Sequence, residues 1–228
     1  MSITLACIET SLMPKTFRLQ TIILLLVWPL YCNDLYMIPL QGIQQSIGWW
    51  GIDFIFRCLV PLATLWYLFK NNHVTRAEAG LARQASFSQI LAGALLAGVL
   101  FIISRRLVEP WLWDFLPYGE FFSGYSLPDQ TLYTFLILFY FVTVTGVLEE
   151  IVYRAVVTNQ LEKLIPSKAV VTICSCLIFA GIHWSEGLAK VVFSFFFALP
   201  LTLWYLKTRK IWGMIVCHAL YDFLQFSL

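Results

Sequence analysis

Apolar positions along the chain gather into seven blocks, each close to the about 17–25 residues that a helix needs to cross the hydrocarbon core of a bilayer. The blocks run from Leu19 to Tyr36, Trp49 to Phe69, Phe87 to Ser104, from Thr131 into the segment VLEEIVYRAVV at 147–157, then Ala169 to Trp184, Leu188 to Leu206, and Ile211 to the C-terminus. The pattern predicts an all-α, polytopic membrane bundle of about seven to eight transmembrane helices. The stretch LVEPWLWDFLPYGEFFSGYSLPDQ between the third and fourth blocks is interrupted by Pro and rich in Trp, Phe and Tyr, which predicts an interfacial segment at the headgroup level. The residues before the first block, with Lys15 and Arg18, lack a small-residue cleavage site and predict a retained first span. Two regions are expected: 1–130, with the N-terminal helices and the interfacial segment, and 131–228, a four-helix core.

Composition makes the membrane reading the governing one. Of 228 residues 60% are hydrophobic and 12% charged, with a mean hydropathy of +0.77; a soluble domain has about 25% charged residues. The net charge of +2 is spread through connectors and forms no basic patch, which argues for a lipid bilayer as partner and against nucleic acid. Six cysteines (Cys7, Cys32, Cys58, Cys174, Cys176 and Cys217) show no CxxC spacing and read as small buried hydrophobes. The basic connectors set an orientation. Lys15 and Arg18 precede the first block, the loop IPLQGIQQSIG is uncharged, and Lys70, Arg76 and Arg83 follow the second. Seven alternating spans place Lys163, Lys168, Lys207, Arg209 and Lys210 on that same side, which predicts a cytoplasmic N-terminus; Arg105 and Arg106 argue the other way.

Against this background the charges inside the blocks stand out, because an ionised side chain at the bilayer centre costs at least about 2.5–3.5 kcal/mol. Asp53 and Arg57 are four residues apart on one helix face and read as an internal ion pair. In the fourth block Arg154 follows Glu150 by four residues and pairs with it more readily than with Glu149, which is turned about 100° away and finds no partner on its own helix. His183 ends the fifth block, and His218 and Asp222 are four apart on the seventh. A lone intramembrane His is ordinarily a hydrogen-bonded packing residue, but polar sites on three separate spans suggest one shared site. If the fourth block turns at Pro166, Glu149 lies 17 residues before the turn and His183 lies 17 after it, so antiparallel helices bring them to equal depth.

A carboxylate at such a site is a candidate general base for water, with a His holding the water and a second His plus a neighbouring Asp facing the oxyanion of a tetrahedral intermediate. That is a kit for amide hydrolysis. The HExxH, GxSxG and GxGD patterns of other hydrolases are missing. The same four residues are acceptable zinc ligands, so a metalloprotease remains an alternative, and a proton- or ion-coupled transporter is a third, although no inverted repeat supports it.

EExxxR at Glu149, Glu150 and Arg154, FxxxH at Phe179 and His183, and HxxxN/D at His218 and Asp222 resemble, in order and spacing, the three signature motifs of the CAAX protease and bacteriocin-processing enzyme (Abi) family of intramembrane proteases. The resemblance covers about 131–228 and implies a glutamate-dependent endopeptidase without a cofactor, acting on a protein or peptide with a hydrophobic or membrane-associated segment. It implies a setting in a bacterial cytoplasmic (inner) membrane. Carried over, Glu149 is the base, His183 its partner, and His218 with Asp222 the oxyanion side, with Glu150 and Arg154 in support. The last position is Asp where prenyl endopeptidases of the family typically carry Asn. An ionised Asp222 repels an oxyanion, so it is protonated, orients His218, or ligates a metal. Averaging the expected depths of His183 and His218 predicts a cavity opening away from the cytoplasm.

Overall fold

A computed structural model describes residues 15–43, 47–82, 84–117 and 131–227. All secondary structure among them is helical. We label the helices α1 (Lys15–Met37), α2 (Gly48–Lys70), α3 (Phe87–Phe115), α4 (Thr134–Leu164), α5 (Lys168–Gly181), α6 (Leu188–Thr208) and α7 (Trp212–Ser227). Every apolar block of the sequence is therefore a helix. Five of these helices are long and apolar enough to cross a membrane. α5 and α7 have 14 and 16 residues, about 21 and 24 Å at 1.5 Å per residue, and fall short of a full crossing.

The third helix departs from expectation. It continues past Ser104 to Phe115, so residues 107–115 of the predicted interfacial segment extend a span instead. A wide π-type turn at Ser104–Val108 precedes Pro110, which sits in the first turn of the continuing helix, where its missing N–H costs least. Glu109 receives Ser104 Oγ at 2.6 Å and Arg105 at 3.3 Å, so the charge of Arg105 is answered within its own helix and weighs less as a topology signal. Residues 118–130 of that segment, the chain before Lys15, Cys7 and Arg83 lie outside the described residues. The other five cysteines are free thiols; Cys58, Cys176 and Cys217 are buried, whereas Cys32 and Cys174 are only half-buried.

The predicted hairpin forms. α4 stops at Leu164, Ser167 caps α5 by accepting from the Val170 N–H at 3.4 Å, and the two helices run back to back. Tyr153 and Phe179, each 13 residues from Pro166, meet with ring centroids 5.4 Å apart, while Thr158 and Ser175 hydroxyls meet at 2.9 Å. Small residues let other helices close in, as they do where dispersion rather than the hydrophobic effect drives association. A Cβ on Gly93 of α3 would lie 2.2 Å from the Gly213 carbonyl oxygen of α7, and one on Gly146 of α4 would lie 3.1 Å from the Ala219 nitrogen, one residue from His218.

The basic connectors meet on one face. Arg18 contacts His73 at 2.8 Å, Lys163 pairs with Glu78, and Arg209 grips Glu162 through two contacts of 2.5 and 2.6 Å. The N-terminal end of α1, the α2–α3 loop, the C-terminal end of α4 and the α6–α7 turn thus share a side, as the alternation of spans requires.

Candidate active site

About 20–24 Å from that face, counting 13 to 16 residues from Lys70, Lys163 or Arg18 at 1.5 Å each, the helices bury a cluster of charged side chains. Arg57, Glu150 and Arg154 all lie in π-type turns, at Ile55–Leu59 of α2 and Glu150–Val157 of α4. Such turns widen a helix by one residue and frequently sit at functional positions.

His218 is the centre of the α4–α7 contact. Its Nδ1 is 2.7 Å from Glu150 Oε1, and its Nε2 faces Glu149 Oε2 at 3.9 Å and Asp222 Oδ2 at 3.7 Å. With Glu150 ionised, Nδ1 carries a proton and donates to it, so the imidazole is fixed in orientation with Nε2 turned toward Glu149. The second oxygen of Glu150 is 3.3 Å from Arg154 Nε, the expected pair four residues apart. Arg154, fully buried, lays its guanidinium 3.9 Å from the centre of the Phe179 ring. The same ring meets His183 and His218 edge to face at 5.6 and 6.0 Å, so the Phe of the FxxxH pattern packs against both histidines and the arginine. Asp222 also accepts from Thr145 Oγ1 at 3.3 Å.

The ring of Phe179 links His183 to His218, but His183 does not pair with Glu149. α5 ends at Gly181 and the chain enters a 3-10 turn at Trp184–Glu186, which swings His183 Nδ1 onto Glu186 Oε1 at 2.8 Å. Each histidine of the site is thus held through Nδ1 by a carboxylate, a relation that sets tautomer and ring plane. Glu186 lies in the turn between α5 and α6. Burial raises its carboxyl pKa, but Lys190, the His183 hydrogen bond and charge, and Arg57 outweigh that and hold it at about 2.

Glu149 is met from the N-terminal half of the chain. Arg57 NH1 is 3.6 Å from Glu149 Oε1, Arg57 Nε is 3.1 Å from Asp53 Oδ1, and Arg57 NH2 is 3.6 Å from Asp34 Oδ1. The internal pair expected of Asp53 and Arg57 exists, and it is one arm of a larger network. Tyr140 donates to Asp53 at 2.8 Å, and Ser185, beside His183, donates to Asp34 at 2.6 Å. Sequence reasoning missed Asp34, Glu186, Lys190 and the reach of Arg57. Two signals were present: an Asn-Asp pair inside an apolar block, and a Glu three residues after a turn-forming His. As for a metal, among the described residues no group of three or more His, Cys, Asp or Glu side chains is arranged to hold an ion.

These features describe a helical membrane protein with carboxylates and histidines gathered inside its bundle. Residues 131–224 match the family model described as type II CAAX prenyl endopeptidase Rce1-like. The match supports the CAAX protease family, a family of proteases, for that part of the chain. Neither the curated proteins nor the solved structures contain a match to the chain.

Proposed function

We propose that the protein is an intramembrane endopeptidase in which Glu149 is the general base for water. The observation that carries the reading is His218, pinned at Nδ1 by Glu150 with Nε2 facing Glu149 and Asp222, inside the family-matching segment. Gaps of 3.9 and 3.7 Å are too long for direct hydrogen bonds and suit one bridging water. Glu149 takes a proton from that water, the water oxygen bonds to the scissile carbonyl carbon, and the carbonyl oxygen becomes an oxyanion that accepts from the Nε2–H of His218, which donates from both nitrogens as an imidazolium. The tetrahedral intermediate then expels the amine as Glu149 returns the proton to its nitrogen, leaving a carboxylic acid and an amine, which exchange the remaining proton to become a carboxylate and an ammonium. Glu150 holds His218 in place, Asp222 shares the Nε2 side with the water, and His183, held by Glu186, closes the substrate side. The substrate is a protein or peptide with a prenylated or otherwise membrane-associated segment.

The test uses purified protein in detergent with two peptide sets in water labelled with oxygen-18: farnesylated peptides ending in Cys, two aliphatic residues and any residue, and peptides with an apolar C-terminal tail. Mass spectrometry should find cleavage with one labelled oxygen in the new carboxylate, abolished by Glu149→Gln. Cleavage of no peptide, or full cleavage by that variant, refutes the proposal.

A further inference from the structure

We propose that Arg57 of α2, outside the segment that matches the family model, is a positioning residue that orients the catalytic carboxylate of Glu149. The inference rests on the reading of Glu149 as the base. The two oxygens of Glu149 have different neighbours: Oε1 faces Arg57 NH1 at 3.6 Å and Oε2 faces His218 Nε2 at 3.9 Å. Holding one oxygen fixes the direction of the other, and it is the other that meets the water.

The guanidinium is itself held on its remaining sides. Nε faces Asp53 on its own helix at 3.1 Å and NH2 faces Asp34 of α1 at 3.6 Å, with all four side chains buried. Those two carboxylates are anchored in turn. Asp53 receives Tyr140 of α4 at 2.8 Å and Asn33 of α1 at 3.3 Å, and Asp34 receives Ser185 at 2.6 Å. A planar fork addressing three carboxylates at once is a task for Arg; the single ammonium of Lys cannot reproduce it. The network joins α1 and α2 to the first motif and to the turn carrying His183, so the N-terminal helices contribute to the geometry of a site whose reacting groups lie elsewhere in the chain.

The experiment compares kcat and KM of wild type, Arg57→Lys and the charge-balanced pair Arg57→Gln with Asp53→Asn, on a peptide that the wild type cleaves, with melting temperatures in detergent. Misplacing a catalytic group by about 1 Å costs about 100-fold in rate. The paired variant should therefore stay folded with kcat down about 100-fold and KM within about threefold. Arg57→Lys, which keeps the charge and is the deciding variant should the pair not fold, should lose at least about tenfold in kcat at similar KM. Wild-type kcat in either folded variant, or a change confined to KM, overturns the inference. The two failures are distinguishable: full activity of Glu149→Gln removes the base reading itself, whereas an inactive Glu149→Gln beside fully active Arg57 variants removes only the role of Arg57.

Discussion

Glu149 and Glu150 are neighbours, yet their replacement by Gln should produce opposite phenotypes. Glu150 is fully buried and bridges Arg154 Nε at 3.3 Å and His218 Nδ1 at 2.7 Å. Glu150→Gln leaves the buried guanidinium of Arg154 without its countercharge, resting on the face of Phe179, and breaking a buried pair this way costs about 3–5 kcal/mol. For a chain of this length about 2–4 °C accompanies each kcal/mol, so the melting temperature should fall by about 6–20 °C. Glu149→Gln removes one arm of a network in which Arg57 keeps Asp53 at 3.1 Å and Asp34 at 3.6 Å, and its cost should be about 1 kcal/mol. The assay is thermal unfolding in one detergent, followed by fluorescence of the native Trp residues, with peptide cleavage measured on the same preparations. Glu149→Gln should melt within a few degrees of wild type and cleave nothing; Glu150→Gln should melt far lower. A Glu150→Gln protein with wild-type melting and no turnover, beside a destabilised but active Glu149→Gln, would show that the two roles are exchanged.

Exhaustive chelation should leave turnover unchanged, since the reaction as proposed uses carboxylate and imidazole alone; about one zinc per chain, with activity lost on its removal, contradicts this. Glu186, held at about 2 when folded against about 4.3 for an ordinary Glu, contributes stability that is present above about pH 4.5 and lost as pH falls toward 2, at most about 3 kcal/mol. Melting temperatures of wild type and Glu186→Gln should therefore draw together as pH falls from about 5 to about 2, and parallel curves refute the linkage. For orientation, Lys168→Cys on the basic face should resist an impermeant thiol reagent in intact cells while Leu188→Cys, half-exposed at the start of α6, reacts; the reverse pattern inverts the proposed topology.

What the sequence revealed was what spacing along one helix encodes. The pairs Glu150–Arg154 and His218–Asp222 follow from positions four apart, and the α4–α5 hairpin follows from Pro166 and two apolar runs. The depth argument held for Tyr153 against Phe179. It missed that the helix ends at Gly181, because a local turn decided by His183 and Glu186 overrides helical register. The Arg57–Glu149 and Ser185–Asp34 contacts join helices 92 and 151 residues apart in sequence, which no periodicity reports. The π-type turns were equally hidden, since a wider turn leaves no mark on a 3.6-residue pattern.

Two adjacent carboxylates in an apolar helix answer a requirement that one carboxylate cannot meet. A group that fixes an imidazole must be close and immobile, and Glu150 is both: 2.7 Å from Nδ1 and locked by Arg154. A general base must accept a proton and give it back, so its oxygen must not already be committed to a strong partner. Glu149 meets that condition, with contacts of 3.6 Å to Arg57 and 3.9 Å to His218 Nε2. Neighbouring residues on a helix point about 100° apart, so one backbone position can serve the buried arginine side and the next can turn toward α2. Both face the same ring, one at each nitrogen, so in the proposed reaction the distance between base and oxyanion donor is set mainly by adjacent residues of α4 and by α7. Relative motion of α2 then disturbs the direction of Glu149 through Arg57, while His218 stays anchored through Glu150.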